Sequence, residues 1–398
     1  MSEAVVIIGG GQAGAQLALS LRQGGHAGAI TIVGQEGHLP YQRPPLSKQF
    51  LAEFRDPSSL YLRPESFWRE KEVALALGAA AAAIEPRRRR VTLTDGREIA
   101  YGTLVLATGT SARTLPLPGI ALPGVFSLRK IDDVMALRPA LDGARRVVIV
   151  GGGYIGLEVA SVVVSEGRDV AVLEAEDRVL KRVTGPAISA FYDGYHRRRG
   201  VNIRLGARLA AIEGETRAGA VRLASGEALR ADLVLVATGA RANDDLAAAA
   251  GLACQDGIVV DELARTSAPG IYAVGDCTRF PSRRYGRRLR LESVQNAIDQ
   301  AKAAASAILG KPQAYDPVPW FWSDQYDIKL QIAGLAEGHE RADPVGEPES
   351  GRFSVEYRSG GRLIAVDAVN DGRAHMTSRK RIAAETEAAP VAAETART

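Results

Sequence analysis

A ten-residue glycine-rich segment occurs twice in this chain, and no other feature constrains its fold as strongly. Gly9-Gly10-Gly11-Gln12-Ala13-Gly14-Ala15-Gln16-Leu17-Ala18 returns as Gly151-Gly152-Gly153-Tyr154-Ile155-Gly156-Leu157-Glu158-Val159-Ala160. Each copy follows a β-branched run, Val5 to Ile8 or Val147 to Val150, and leads into helically spaced apolar residues that stop at Gly24 or Gly167. A second apolar strand follows, Ala29 to Val33 or Val170 to Leu173. Each copy therefore reads as strand, tight turn, helix, strand.

A second duplication gives the order of assembly. Leu104-Val105-Leu106-Ala107-Thr108-Gly109 and Leu233-Val234-Leu235-Val236-Ala237-Thr238-Gly239 each run a strand into a glycine turn, and each follows a hairpin signal, Asp95-Gly96 or Ser225-Gly226. The simplest arrangement is nested: one domain is interrupted, a second is inserted, and the first resumes. The expected fold is α/β, with two nested Rossmann-like dinucleotide-binding domains and a small α+β domain at the C-terminus. The expected divisions are 1–112 with 242–317, then 113–241, then 318–398. Prolines and aromatics cluster at Pro317 to Trp322, and strand-like runs follow at Phe353 to Tyr357 and Leu363 to Val369. The last stretch, Ala383 to Thr398, is rich in Ala, Glu and Thr and is expected to be a frayed tail.

A chain of 398 residues exceeds what one hydrophobic core usually serves, in keeping with several domains. Val5 to Ile8 lacks a basic flank and is far too short to span a bilayer, and no later segment is long enough. A cytoplasmic protein with no membrane association is expected. Cys254 and Cys277 are too far apart for a CxxC pair and read as two small buried thiols. The net charge of +4 leans only weakly towards acidic partners.

A G-x-G-x-x-G run acquires meaning between a strand and a helix, where the backbone can approach a pyrophosphate and the helix start meets its charge. Both copies have that context, which makes Gly9, Gly11 and Gly14, and Gly151, Gly153 and Gly156, candidate phosphate cradles. Glu174 ends the strand after the second copy and could accept from ribose hydroxyls while repelling a 2′-phosphate. NADH is then favoured over NADPH, with Arg178 nearby in sequence. Two nested dinucleotide sites imply two nucleotides that meet.

Thr266-Ser267-Ala268-Pro269-Gly270-Ile271-Tyr272-Ala273-Val274-Gly275-Asp276 resembles the second flavin motif of flavoprotein reductases with two dinucleotide domains, a glutathione-reductase-like fold. The resemblance implies that one nucleotide is FAD, with Asp276 on its ribityl chain. Disulfide reductases of that superfamily need a redox cysteine pair beside the flavin. The corresponding region, His38 to Lys48, contains none, which excludes a dithiol relay.

Arg43-Pro44-Pro45-Leu46-Ser47-Lys48, Gly152 to Glu158, and Trp320-Phe321-Trp322-Ser323-Asp324-Gln325 together resemble the NADH-dependent ferredoxin reductases of bacterial oxygenase systems, from the first strand to about residue 370. The resemblance implies transfer of electrons from NADH through FAD, singly, to a 2Fe–2S ferredoxin that supplies a haem-thiolate monooxygenase or a ring-hydroxylating dioxygenase. It places Ala13, Arg43, Lys48, Ala81, Ala107, Thr108, Gly109, Arg129, Asp276, Val294 and Trp322 against FAD, and Tyr154, Ile155, Glu174 and Gly239 against NAD. Lys48, paired with Glu158, would lie near flavin N5, and both would act with Trp322 as modulators of hydride transfer. The helix opening at Val294 would turn its positive end to the flavin.

The chain departs from this family in two places. Gln35 stands where relatives often have Asp, which would shift the ribose contact to Glu36, and the C-terminus lacks the usual final helix pattern. An acidic ferredoxin would dock near Arg279, Arg283, Arg284, Arg287, Arg288, Arg290 and Lys302, the bland alternative being a solvated basic loop. No recognition motif supports nucleic-acid binding, and a monomer is expected. Two other readings stay open. One is a rubredoxin-type reductase or flavin NADH oxidase; the other is a redox-sensing flavoprotein resembling apoptosis-inducing factor.

Overall fold

The computed structural model describes residues 3–387. Val5–Ile8, buried along its whole length, is the centre of a five-stranded parallel sheet. It pairs with Ile30–Gly34 on one side and Thr103–Leu106 on the other, and Val73–Leu77 and Ile271–Ala273 complete the edges. Uninterrupted apolar strands suit a parallel sheet covered on both faces. The helix Gln12–Gln23 buries Ala13, Ala15, Leu17, Ala18 and Leu21 and packs on the helix Val294–Ile308.

The inserted segment builds the same design. Arg146–Val150 pairs in parallel with Asp169–Leu173 and Leu233–Val236, with Asn202–Arg204 and Val125–Phe126 outside them. Each unit carries a three-stranded antiparallel sheet, Ala81–Glu85 to Glu98–Ala100 in one and Leu209–Glu213 to Ala228–Arg230 in the other. The chain passes between the units twice, and the two crossings run side by side: Thr110–Ala112 pairs with Ala240–Ala242.

The C-terminal part is an antiparallel sheet of five strands, ordered Trp320–Gln325, Ile328–Gly334, Arg362–Val369, Arg352–Ser359 and Arg341–Glu347. A helix, Gly372–Glu387, packs on it. This corrects two expectations, the frayed tail from Ala383 and the missing final helix. Ile382 is 1% exposed and, with Ala383, packs on Val318, Ala333, Leu363 and Val366. The inward face of that helix is made of His375, Ser378 and Ile382. Those positions have helical spacing, but two of the three are polar, so no apolar stripe announces the helix. The rest of the expected tail, 388–398, lies outside the described residues.

Asp367 lies wholly inside this third part. Tyr357 Oη donates to its Oδ2 at 2.7 Å and itself accepts from the Gly185 amide at 3.0 Å. Its Oδ1 has no partner among the described residues. Burial pushes this carboxyl up to about 7. A raised folded-state value means that stability is fully present below the ordinary carboxylate range and is lost as pH rises through about 7. Asp367→Asn is expected to remove that dependence, worth about 4 kcal/mol between acid and mildly alkaline pH. Urea unfolding at both pH values checks it, and an equally steep decline in the variant would count against the assignment.

Candidate active site

The two glycine-rich turns divide their labour identically. Gly9 has φ +125°, and a Cβ there would sit 2.0 Å from the Ala107 carbonyl oxygen; one on Gly14 would sit 2.1 Å from that of Gly9. In the second copy a Cβ on Gly151 would meet Ala237 O at 2.4 Å, and one on Gly156 would meet Gly151 O at 2.0 Å. Gly9 and Gly151 let the ends of two neighbouring strands approach, and Gly14 and Gly156 let the helix approach the turn. Gly11 and Gly153 are different, because a Cβ on either meets nothing within 4 Å. Each is an N-cap with no side-chain cap, above a first turn without acid, so unfilled amide donors face open space. Both cradles fit a dinucleotide pyrophosphate. FAD in the first would supply a hydride acceptor that releases electrons one at a time.

Around the first cradle, Ala13 is buried beneath the Gly275-Asp276 turn, where a Cβ on Gly275 would lie 3.0 Å from its own. Asp276 Oδ2 accepts from Arg129 at 2.8 Å, and Arg129 Nε donates to Thr110 O at 3.1 Å. Burial raises the Asp276 carboxyl, while Arg129 opposes the rise. Arg43 donates to Glu36 at 2.6 Å, to Tyr41 Oη at 2.7 Å and to the Arg129 carbonyl at 2.9 Å. Glu36 also accepts from Tyr41 at 2.6 Å, so much of its hydrogen-bonding capacity is taken, and Gln35 stands exposed. Ala107 is buried and Gly109 has φ +63°. Thr108 and Asn243 exchange two bonds that fasten the turn to the second crossing. Ala81 opens its strand half-buried, and Val294 is the first helical residue behind the Ser293 cap.

Around the second cradle, Glu174 accepts from the amides of Gly152 at 2.7 Å and Glu176 at 2.9 Å, which fixes its carboxylate at the turn. Arg178 is turned away, donating to Thr184 O, Lys181 O and Ser189 Oγ. Arg182, which carries no motif, lies over Gly239, its Nη2 3.2 Å from where a Cβ would stand. The Tyr154 ring packs 4.7 Å from Phe321, with its hydroxyl buried, and Ile155 packs against the large core.

The two units meet at Glu158. Lys48 Nζ lies 2.9 Å from its Oε1, Ser47 Oγ donates to Oε2 at 2.5 Å, and Ser323 Oγ donates to Oε1 at 2.6 Å. One carboxylate thus joins the N-terminal unit, the inserted unit and the C-terminal sheet. Burial raises the Glu158 carboxyl, and Lys48, Ser323 and Ser47 pull it back. Both serines lie within the segments that carry the family resemblance, but only the fold brings them to one carboxylate. Trp322 is half-buried in the adjoining aromatic group, 5.8 Å from Trp320 and 6.2 Å from Phe321. Cys277 is buried and Cys254 half-buried, both as free thiols. No group of residues that could hold a metal ion occurs among the described residues. None of the helices there is long and apolar enough to cross a membrane.

The basic run is less bare than its sequence suggests. Asp256 faces Arg279 and Arg290, Glu292 also pairs with Arg290, and Glu337 pairs with Arg287. Arg284 and Arg288 donate to the carbonyls of Ile382 and Val260, and Lys302 lies 3.6 Å from Asp299. Arg283 makes no ion pair among the described residues.

Comparison with known proteins agrees with this geometry. Residues 3–301 match the pyridine nucleotide-disulphide oxidoreductase family, and residues 320–397 match the reductase C-terminal domain. Rhodocoxin reductase of Rhodococcus erythropolis is 43% identical over 96% of this chain and 90% of its own. Rubredoxin-NAD(+) reductase of Pseudomonas putida is 40% identical over 92% of this chain and 96% of its own. The putidaredoxin reductase chain of a covalent putidaredoxin reductase–putidaredoxin complex superposes with a TM-score of 0.93 at 41% identity, covering 96% of this chain and 93% of that one. The chain belongs to the pyridine nucleotide-disulphide oxidoreductase family, in the branch that ends in a reductase C-terminal domain.

Proposed function

We propose that this protein is an NADH-dependent, FAD-containing ferredoxin reductase that passes electrons to a 2Fe–2S ferredoxin serving an oxygenase. The observation that carries the reading is the seam at Lys48 and Glu158. It joins the two units that carry the cradles, and the thiols bond elsewhere, Cys277 to the carbonyls of Leu106 and Val274 and Cys254 to that of Asp244, which supports an external carrier for the electrons. Hydride transfer between stacked rings needs no side-chain acid or base, and the protein's part is placement and electrostatics. Gly11 and Gly153 present helix amides to the pyrophosphates, and Asp276, held by Arg129, faces the ribityl chain. Lys48, Glu158 and Trp322 border the ring. Residues 1–112 with 242–317 form the flavin unit, 113–241 the nicotinamide unit, and 318–398 the third; the paired crossings at Thr110–Ala112 and Ala240–Ala242 support those divisions.

Glu174 selects NADH, because a 2′-phosphate would meet its carboxylate while Arg178 is committed elsewhere. The ferredoxin docks on the basic face from Arg279 to Arg290 with Lys302. Arg283, Arg284 and Arg288 are the arginines of that run that pair with no acid among the described residues, so the electrostatic pull is narrower than six arginines would suggest.

Stopped-flow reduction by NADH and by NADPH, followed by mixing with a 2Fe–2S ferredoxin, tests this reading. Fast reduction by NADH, slow reduction by NADPH, and delivery that slows as salt rises are expected. Fast NADH reduction with delivery only to rubredoxin would favour the second reading, which the rubredoxin reductase similarity supports. Delivery to neither carrier would sink both.

A further inference from the structure

We infer that Ser323, Gln325 and His196 are positioning residues for the Lys48–Glu158 pair, acting as a one-way chain of hydrogen bonds that ends on the Glu158 carboxylate. The chain begins at Tyr326, whose Oη lies 3.2 Å from His196 Nδ1. His196 Nε2 lies 2.8 Å from Gln325 Oε1, Gln325 Nε2 donates to Ser323 Oγ at 3.1 Å, and Ser323 Oγ donates to Glu158 Oε1 at 2.6 Å. Ser323, Gln325 and His196 are each at most 1% exposed. The inference rests on the reading that the Lys48–Glu158 pair borders bound FAD.

The direction of every bond follows from the chemistry of its last member. An ionised carboxylate only accepts, so the Ser323 hydroxyl hydrogen points at Glu158. Its oxygen then takes a hydrogen from the Gln325 amide, which fixes the Gln325 nitrogen towards Ser323 and its oxygen towards His196. His196 must therefore carry its proton on Nε2, and its bare Nδ1 accepts the Tyr326 hydroxyl. Burial lowers the His196 imidazole, in keeping with a neutral ring. Aligned donors polarise one another, so the whole chain presents positive hydrogen to the carboxylate. Ser323 and Gln325 can both join because residues two apart on a strand share a face.

Several groups face Glu158 from the elements around it. Lys48 and Ser47 come from the N-terminal unit, Tyr154 from its own helix, Tyr192 from Pro186–Arg198, and Ser323 from the C-terminal sheet. Beyond the two tyrosines lie Asp324 and Asp367, the latter charged only above about pH 7, and their negative charges disfavour an ionised Glu158. Lys48 is the one cation among them, and the serine donors supply what it leaves unmet. With Glu158 held ionised and aimed, Lys48 is held as well.

The test uses purified holoenzyme and follows the bound-flavin absorption spectrum as pH is varied through the neutral range. Ser323→Ala is expected to raise the proton affinity of Glu158 about tenfold or more, moving a one-proton spectral step at least about one pH unit to the alkaline side. Ser323→Cys, close to isosteric and a weak donor, should move it the same way even if the alanine variant folds poorly. Ser323→Thr should restore the wild-type position, and Ser323→Ala with Glu158→Gln should show no step. In ¹⁵N-labelled holoenzyme, the His196 ring should report an Nε2–H tautomer. A step unmoved by both Ser323→Ala and Ser323→Cys, while Glu158→Gln alone alters the spectrum, would overturn the inference and spare the site. A spectrum indifferent to Glu158→Gln would instead overturn the placement of the pair beside the flavin, and the inference with it.

Discussion

Gly11→Ala is expected to give a folded protein without flavin, and Gly9→Ala no soluble folded protein at all. The two substitutions add the same methyl group two residues apart in one turn. At Gly9 it would lie 2.0 Å from the Ala107 carbonyl oxygen, on a backbone at φ +125° that alanine does not adopt. The ends of two paired strands, Val5–Ile8 and Thr103–Leu106, would have to separate at the centre of the parallel sheet. At Gly11 the methyl meets no protein atom within 4 Å and projects into the space where the helix amides open. Nothing in the fold opposes it, but a pyrophosphate can no longer approach. Loss of one or two charge-assisted bonds there corresponds to about a hundredfold in FAD affinity. Circular dichroism of the purified proteins, with FAD titration of the apoprotein, separates the two effects. Gly153→Ala provides the internal control: it should keep its FAD and lose a similar factor in NADH affinity. Full flavin occupancy in Gly11→Ala would remove the first cradle from the site.

This contrast shows why the fold was legible while part of the site was not. The doubled glycine run, the two Ala-Thr-Gly strands and the two hairpins are local signals, each dictated by a backbone requirement, and all form where their sequences place them. The nested order followed from the two Ala-Thr-Gly strands that bracket the second copy. The final helix was missed because its inward face is His375, Ser378 and Ile382, and burial of polar side chains leaves no periodic trace. Ser47 and Ser323 were missed for a different reason. They are far apart in sequence and alike only in reaching the same carboxylate. Glu36 was placed by position alone, and sequence carried no sign that Arg43 and Tyr41, a few residues on, each bond to one of its oxygens. The arginines from 279 to 290 have no acid among them in sequence, yet Asp256 and Glu337 come to them from distant loops.

Lys48→Met is expected to destabilise the protein by an amount that grows with pH, because Lys48 is what permits a charge at Glu158. The side chains are 16% and 4% exposed, and their charged atoms lie 2.9 Å apart. Methionine keeps most of the lysine stem and its packing, so the loss falls on the charge. Glu158 would then hold a carboxylate in the interior with two serine donors and no cation. Breaking one partner of a buried pair costs about 3–5 kcal/mol when the other stays charged. Its carboxyl, raised by burial even beside Lys48, would rise further. A value raised above that of the unfolded chain, about 4.3, gives stability that is full below that pH and lost as pH climbs through the folded value. Variant and wild type should therefore unfold at similar urea concentrations in mild acid and diverge towards pH 8, measured at one saturating FAD concentration so that binding contributes equally. Adding Glu158→Gln should recover much of the loss, since a neutral amide can accept from Ser47 and Ser323 without needing a cation. A deficit that is the same in acid and alkali would mean that Lys48 matters here for its packing, and that the Glu158 charge is sustained by the serine donors alone.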